Sequence, residues 1–237
     1  MSTLYLVRHG QASFHAEDYD QLSDLGVRQS RVLGEDCALR GLKMDAAYTG
    51  PRRRQRDTYQ HIREAAGEAG HQLPEPQLIE AFDEIDIQAV TDQAMARVLP
   101  SCPDLPEQIR KREMTDAGRE AMRHYGGIVR ALLKRWAAQD LDFIETFDAF
   151  YARVSAALSQ VMRDQGRGKN VAVITSGGPV CMAVRLALAL EPAAAVDLMW
   201  IVHNASITRF KFTEDRFTLM GFNGIGHLRE AELLTHV

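Results

Sequence analysis

The sequence contains little cysteine, which argues against a covalent or metal-based framework. Its 237 residues include 3 cysteines, which is an odd number. They are far apart and form neither a CxxC pair nor a cluster with the spacing of metal ligands, so we expect neither a disulfide scaffold nor a metal centre. We expect them to be isolated small apolar residues in a reducing compartment. They are Cys37, Cys102 and Cys181.

Long hydrophobic segments are missing as well. The longest apolar run near the start covers residues 4–7, which is too short for a signal-peptide core or a membrane span. A later apolar stretch, at residues 179–190, is interrupted by Arg185. We therefore expect a soluble, unexported, cytoplasmic protein with no membrane partner.

The sequence also has no excess of positive charge. Lysine and arginine total 28 against 32 aspartates and glutamates, which gives a formal net charge of −4. Dedicated nucleic-acid binders are usually basic, so we expect no nucleic-acid partner. A hydrophobic fraction of 46% and a charged fraction of 25% are typical of a globular protein and exclude disorder as the main state.

Patterns typical of strands recur along the chain. Short apolar runs at residues 3–7, 44–49 and 170–175 predict buried strands. Two β-rich runs, at residues 206–212 and 216–222, predict a hairpin. Helix signals lie between the first three strands, so we expect an α/β fold of three layers, with a mostly parallel central sheet and helices on both faces.

The helix signals are capping residues and periodic apolar positions. Ser23 is a candidate N-cap of a helix that ends near residue 40, and Pro51 is a candidate first residue of another helix. Residues 88–140 are polar and helical, and we predict that they form an insertion, with a lid over the site as the functional alternative to simple packing. We expect one domain over residues 1–237.

Residues with phosphate chemistry follow three of the predicted strands. Arg8 and His9 come directly after the first strand, and Arg54 lies in an arginine-rich helix start after the second. Ser176 and Gly177 follow the strand at the sequence NVAVIT. Histidine is a possible nucleophile, arginine offers a planar fork of donors, and helix starts favour anions. Ligands gather at the carboxyl ends of parallel strands, so we expect one shared anion site.

Several ordered motifs together resemble the histidine phosphatase superfamily, which is also called the phosphoglycerate mutase-like family. The resemblance spans most of the chain outside the middle insertion. The matching segments are LVRHGQ at residues 6–11, Leu22, Ser23 and Gly26, then Pro51, Arg54 and Thr58, residues 84–86, residues 204–208, and residues 222–228.

The resemblance implies a phosphoglycerate mutase-like fold and phosphoryl transfer without a metal or other cofactor. His9 would be the nucleophile and would form a phosphohistidine. Arg8 and Arg54 would clamp the phosphoryl oxygens. Glu84 would protonate the leaving group and then activate water, with Glu80 as the alternative acid because the stretch between them is acid-rich.

The phosphate site implied by the resemblance departs from the family pattern at one position. Its members are Arg8, Arg54, Gln11, Ser176 and Gly177. In the family a second histidine normally stands where this chain has Ser176, and losing one donor to a transition-state oxygen typically costs about 10²–10³ in rate. Three histidines near motif positions are alternative donors, although surface or packing roles are expected for each. They are His15, His203 and His227.

Three functions are compatible with these residues. The first is a phosphatase that hydrolyses a small phosphorylated substrate, because nucleophile, clamp and acid are all present. The second is a phospho-ligand binding protein with little or no catalysis, which Ser176 would favour. The third is a phosphoglycerate mutase. The oligomeric state stays open, with a homodimer among the options.

Overall fold

A six-stranded sheet forms the centre of the computed structural model, which describes residues 1–13, 20–86, 88–111, 113–141 and 145–236. The strands are β1 Ser2–Arg8, β2 Ala46–Thr49, β3 Pro76–Leu78, β4 Asn170–Thr175, β5 Ile207–Phe212 and β6 Phe217–Gly224. The helices are α1 Asp24–Leu39, α2 Arg53–Glu68, α3 Gln88–Val98, α4 Leu105–Lys111, α5 Asp116–Ala137, α6 Phe147–Gln165, α7 Gly177–Leu188 and α8 Pro192–Met199.

The sheet is mostly parallel, as predicted. Its order is β3-β2-β4-β1-β5-β6, in which the first four strands are parallel and the last two are an antiparallel hairpin at the edge. The register pairs Arg8 with Thr175 at the ends of β1 and β4, and Thr49 of β2 with Ile174. The carboxyl ends of the three strands therefore lie side by side.

Helices cover both faces of the sheet, which confirms the three-layer α/β fold. Side chains alternate between the two faces along each strand. On β1, Leu6 joins the core cluster that includes Phe150 of α6, whereas Val7 joins the cluster that includes Tyr59 of α2. The alternation on β4 is the same, so both strands are buried on both faces, and the polar residues of β4 stand at its two ends.

The ends of α1 follow the predicted capping signals. The hydroxyl of Ser23 accepts a hydrogen bond from the backbone N–H of Gly26 at 3.1 Å, which satisfies one free donor of the first turn. The helix ends at Leu39, and Gly41 has a φ of +58°. Glycine adopts this left-handed conformation without the strain that other residues meet.

The prediction that Pro51 opens a helix is wrong by two residues. The helix α2 begins at Arg53, and Arg52 is its extended N-cap, with a ψ of 141°. The side-chain oxygen of Gln55 accepts from the backbone N–H of Arg52 at 3.1 Å, so a side chain inside the helix provides the cap. Pro51 therefore belongs to the turn that leads from β2 into the helix.

Two short elements were absent from the sequence prediction. The strand β3 has three residues, one of them a proline, and pairs only with β2 at the sheet edge. The helix α8 begins with Pro192 directly after its N-cap, Glu191. Both elements are too short for a periodic pattern to identify them.

The predicted helical region contains α3, α4 and α5, with turns between the helices. Val98, Cys102 and Leu105 form a small cluster between these helices. The insertion and lid assignments stay predictions. The three cysteines are free and buried. Within the described ranges, no helix has the length and apolar character that crossing a bilayer requires.

Two glycines let the loop after β1 lie directly against the first turn of α1. A Cβ atom on Gly10 would stand 2.5 Å from the carbonyl oxygen of Gly26, and a Cβ on Gly26 would stand 2.1 Å from that of Gln11. Both neighbours are backbone atoms, which cannot move aside as a flexible side chain would. The loop that carries His9 is thus held by direct contact of main chain with main chain.

We expect Gly26→Ala to lower the free energy of unfolding by about 1–3 kcal/mol, because the added methyl group overpacks a backbone contact. Gly127→Ala is the matched control, since Gly127 lies inside α5 with open space at its Cβ position, and alanine should stabilise that helix by about 0.5–1 kcal/mol. Urea unfolding measures both. Equal effects from the two substitutions would show that the contact is unimportant.

Candidate active site

The backbone of His9 extends the sheet one residue beyond β1. Its N–H donates to the carbonyl of Thr175 at 2.8 Å, and its own carbonyl accepts from the backbone N–H of Ala205 at 3.2 Å and the side chain of Asn204 at 3.3 Å. These bonds fix the residue at the carboxyl edge of the parallel strands. The residue is 6% exposed, so its ring is largely removed from water.

The hydrogen bonds of the His9 ring determine which nitrogen carries the proton. Nδ1 lies 2.7 Å from the carbonyl oxygen of Gly10, which can only accept, so Nδ1 is the protonated nitrogen. Nε2 then has a free lone pair, which accepts from Nε of Arg54 at 3.2 Å. Burial, together with the positive charges of Arg54 and Arg8, lowers the pKa of His9 well below its ordinary value, against a smaller opposing effect of the Gly10 hydrogen bond. A neutral imidazole is the form that a nucleophile requires.

Arg54 is the buried member of the arginine-rich helix start. It is 7% exposed, whereas Arg53 and Arg56 are exposed to solvent. The hydroxyl of Thr58 accepts from the backbone N–H of Gly10 at 2.9 Å and donates to the carbonyl of Arg54 at 2.7 Å. One side chain thus connects the first turn of α2 to the histidine loop.

Asp20 is a site residue that the sequence analysis missed. Its carboxylate accepts from Nη1 of Arg54 at 2.7 Å and from the backbone N–H of Arg53 at 2.7 Å. It therefore holds both the guanidinium group and the start of α2. No motif marked this position, because the contact joins residues that are 33 and 34 positions apart.

Arg8 acts on His9 through its positive charge, which helps to lower the pKa of the ring. Its Nη1 donates to the carbonyl of Val202 and, at 2.8 Å, to that of His236. A Cβ on Gly177 would stand 3.7 Å from Nε of Arg8, so the guanidinium group lies against the start of α7. The structure therefore brings Arg8, His9 and Gly177 together, as the strand-end argument predicted.

Ser176 lies at the N-cap of α7 and is completely buried. Its hydroxyl makes no capping bond to α7 and instead accepts from Nε2 of Gln55 at 2.8 Å. The same amide donates to the carbonyl of Phe82 at 3.3 Å. Sequence analysis missed Gln55, because nothing in its helix start indicated a partner 121 residues away.

Glu84 also meets the start of α7. Its Oε2 accepts from the backbone N–H of Gly178 at 3.1 Å, and its Oε1 accepts from its neighbour Ile85 at 2.9 Å. A Cβ on Gly178 would stand 2.1 Å from Oε1, so the carboxylate approaches to a distance that only glycine allows. Glu80 is exposed, in a short 3-10 turn. The geometry thus favours Glu84 over Glu80 as the acid near the anion site.

The sequence also matches a known protein family over most of its length. A family model described as the histidine phosphatase superfamily (branch 1) matches residues 4–142 and 117–224. The chain belongs to this superfamily. A 2,3-bisphosphoglycerate-dependent phosphoglycerate mutase of Mesorhizobium japonicum is 36% identical over 74 residues, which cover 28% of this chain and 35% of the relative. The match therefore spans about a third of that relative's length.

Solved structures show that this histidine phosphatase superfamily member has a phosphoglycerate mutase-like fold. Bacillus stearothermophilus YhfR aligns over 97% of this chain and 100% of its own, with 16% identity and a TM-score of 0.67. A phosphoserine phosphatase from Entamoeba histolytica aligns over 96% and 100%, with 18% identity and a TM-score of 0.58. The matched proteins thus include, by name, a phosphatase and a mutase.

The remaining predicted residues of this superfamily member have other surroundings. The side-chain oxygen of Gln11 accepts from the hydroxyl of Ser23 at 2.9 Å, so it is engaged at the start of α1 and not among the arginines. His227 is buried, with Nε2 3.0 Å from the carbonyl of Ala205, and burial lowers its pKa. It is a packing residue, as expected. His15 lies outside the described residues.

His203 lies nearer to the site, beside the segment that Arg8 contacts. Its ring stands edge-on to that of His236, with 4.5 Å between the ring centres. Nδ1 of His203 is 3.1 Å from the side-chain nitrogen of Asn223, and burial together with His203 and Arg8 lowers the pKa of His236. The two rings form a contact between the loop before β5 and the last residues of the chain.

We expect His9→Asn to weaken the acid sensitivity of folding. The pKa of His9 is lower in the folded chain than in the unfolded one. As the pH drops below about 6.5, the unfolded state therefore binds a proton that the folded state does not, and the free energy of unfolding decreases. One such group adds up to about 1.4 kcal/mol per pH unit to that slope. The measurement is the free energy of unfolding between pH 7 and pH 5.

The control for this measurement is His124→Asn, which changes an exposed residue of α5. We expect the control to keep the slope of the unmodified protein, while His9→Asn makes it shallower. Parallel slopes for all three proteins would contradict the buried neutral state of His9.

Proposed function

We propose that this protein is a phosphatase that hydrolyses small phosphomonoesters through a phosphohistidine on His9, without a metal or cofactor. The observation that carries the proposal is the neutral His9 ring, whose Nε2 lone pair lies beside the Arg54 guanidinium. Arg8 supplies a second positive charge to the same ring. A phosphoryl group is the anion that this combination of nucleophile and planar donors suits.

The first step transfers the phosphoryl group to the enzyme. Nε2 of His9 attacks phosphorus, the ester P–O bond breaks, and Glu84 in its protonated form gives its proton to the leaving oxygen. The hydrogen bond from Arg54 to Nε2 is released in this step and passes to a phosphoryl oxygen. The bond from Nδ1 to the Gly10 carbonyl stabilises the positive charge that develops on the ring.

The second step returns the enzyme to its starting state. Glu84, now a carboxylate, takes a proton from water, and the resulting hydroxide attacks phosphorus. The P–N bond to His9 breaks, inorganic phosphate leaves, and the ring is neutral again. Proton transfer by a positioned carboxyl group typically contributes about 10²–10⁴ in rate.

Ser176 supplies a fourth contact to the phosphoryl group in this proposal. Its oxygen already accepts from Gln55, so its own O–H is available to donate. A neutral hydroxyl stabilises developing negative charge less than a charged histidine would. The presence of Ser176 in place of a histidine also favours the second candidate function, a phospho-ligand binding protein with little turnover.

Turnover of p-nitrophenyl phosphate tests the proposed nucleophile. We expect His9→Ala to lower kcat by at least about 10³-fold, because the covalent route is lost. Rapid acid-free quenching of the unmodified enzyme with labelled substrate should trap a phosphoenzyme that is stable in alkali and lost in acid. His124→Ala is the control and should retain full activity.

Turnover that survives His9→Ala would refute the mechanism. Phosphate-dependent stabilisation against heat with no measurable turnover would favour the binding protein. Interconversion of phosphoglycerates at a rate above their hydrolysis would favour a mutase. A panel of small phosphomonoesters assayed alongside identifies the substrate class.

We expect Ser176→Ala to lower kcat/KM by about 10-fold to 10²-fold, since one donor to a transition-state oxygen is removed. Vanadate should bind the variant more weakly as well. The substitution leaves one N–H of the buried Gln55 amide without its acceptor, so we also expect the free energy of unfolding to fall by about 1–3 kcal/mol. Unchanged kinetics would show that Ser176 does not contact the phosphoryl group.

A further inference from the structure

The segment that carries Glu84 is held by its main-chain carbonyl groups. The carbonyl of Phe82 accepts from the hydroxyl of Thr175 at 2.7 Å and from Gln55 at 3.3 Å. The carbonyls on either side, those of Ala81 and Asp83, both accept from Nη1 of Arg153 at 2.8 Å. Three consecutive carbonyls just before Glu84 are therefore fixed by side chains from distant elements.

Arg153 is itself held rigidly on α6. Its Nε and Nη2 donate to the two carboxylate oxygens of Glu145 at 2.6 and 2.9 Å. Its guanidinium carbon stands 4.6 Å from the centre of the Phe150 ring. Because Glu145 already holds the guanidinium group, the Arg153 side chain loses little further conformational freedom when it binds the two carbonyls.

Glu145 is anchored to the core in turn. Its carbonyl accepts from Nε1 of Trp136 at 2.9 Å, and Trp136 is 1% exposed. The Trp136 ring packs edge-on against Phe147, with 5.0 Å between the ring centres. The Arg153–Glu145 pair thus connects the loop before Glu84 to the rigid core. An isolated ion pair on the surface would contribute little to the stability of such a loop.

We infer that Arg153 and Glu145 are positioning residues for Glu84, an inference that rests on the proposed function. The carboxyl group of Glu84 stays 3.1 Å from the Gly178 N–H only while the backbone at residues 81–83 keeps its path. Arg153 fixes that path with two bonds from one nitrogen. Loss of the guanidinium group frees both carbonyls and lets the acid move away from the leaving oxygen.

The choice of leaving group separates this role from a purely structural one. An alkyl phosphate releases a strongly basic alkoxide and needs the proton of Glu84, whereas p-nitrophenyl phosphate releases a weakly basic anion and hardly needs it. A misplaced acid therefore slows the transfer of the phosphoryl group from the alkyl ester to His9, whereas transfer from the aryl ester keeps its rate. General loss of structure would slow both equally.

The experiment compares kcat/KM of Arg153→Met on an alkyl and an aryl phosphomonoester, because kcat/KM reports the transfer of the phosphoryl group to His9 and not the later hydrolysis of the phosphohistidine, which is common to both esters. We expect kcat/KM on the alkyl ester to fall by about 10-fold to 10²-fold, as misplaced catalytic groups typically cause, and kcat/KM on the aryl ester to fall by less than about threefold. Methionine retains the apolar contact with Phe150. Glu84→Gln should show the same selectivity with a larger loss.

Three further variants complete the test. Arg163→Met changes an exposed arginine near the end of α6 and should leave both substrates unaffected. Arg153→Lys keeps the charge without the fork and should give an intermediate selectivity, as should Glu145→Gln. These two milder changes decide the question if Arg153→Met does not fold.

Each outcome has a distinct meaning. Equal losses on both esters in the folded Arg153 variants would overturn the positioning role while leaving Glu84 as the acid. A Glu84→Gln enzyme with no preference between the esters would overturn the role of Glu84 and this inference with it. Survival of turnover in His9→Ala would instead refute the proposed function.

Discussion

The site depends on keeping one imidazole ring neutral while two positive charges lie beside it. Burial and the arginines act in the same direction on His9, because both penalise protonation of the ring. Among the described residues, the Gly10 carbonyl opposes them, and it also fixes the proton on Nδ1. An exposed histidine beside a carboxylate would have the opposite character and would be a poor nucleophile at neutral pH.

The parallel sheet brings the parts of this site together. His9 and Ser176 follow the neighbouring strands β1 and β4, whose ends are paired residue for residue, and Arg54 lies in the first turn of α2, after β2. The acid comes from a loop outside the sheet, so its position needs separate support. Glu84 accordingly accepts a hydrogen bond from the start of α7, and the carbonyls just before it accept from side chains of α2, β4 and α6.

Sequence reasoning identified the residues that local patterns mark. Arg8, His9 and Ser176 each follow a run of buried residues, and alternation alone predicted where those runs end. The acid Glu84 needed the family resemblance, because an acid-rich loop offers several candidates. The physical roles of these residues stay proposals, whereas the α/β fold and the superfamily are established.

Other residues could not be predicted, because their partners come from distant parts of the chain. Gln55 looked like an ordinary polar helix residue, yet its amide joins Ser176 to the Phe82 carbonyl. Asp20 and Arg153 likewise reveal their function only through contacts made after folding. The prediction that Pro51 opens a helix was wrong for a different reason. The fixed φ of proline suits a turn as well as a helix start, and the hydrogen bond from the Arg52 N–H to Gln55 places the start of α2 after Arg52.

The hydroxyl of Thr58 has a consequence for the proposed phosphatase, in the range of esters that it would accept. Because one oxygen atom joins the Gly10 N–H to the Arg54 carbonyl, the spacing between attacking nitrogen and guanidinium is built into the protein before any ligand arrives. That spacing does not depend on the alcohol half of the ester. Selectivity for one alcohol over another can therefore evolve in the surrounding loops while the geometry around phosphorus stays constant.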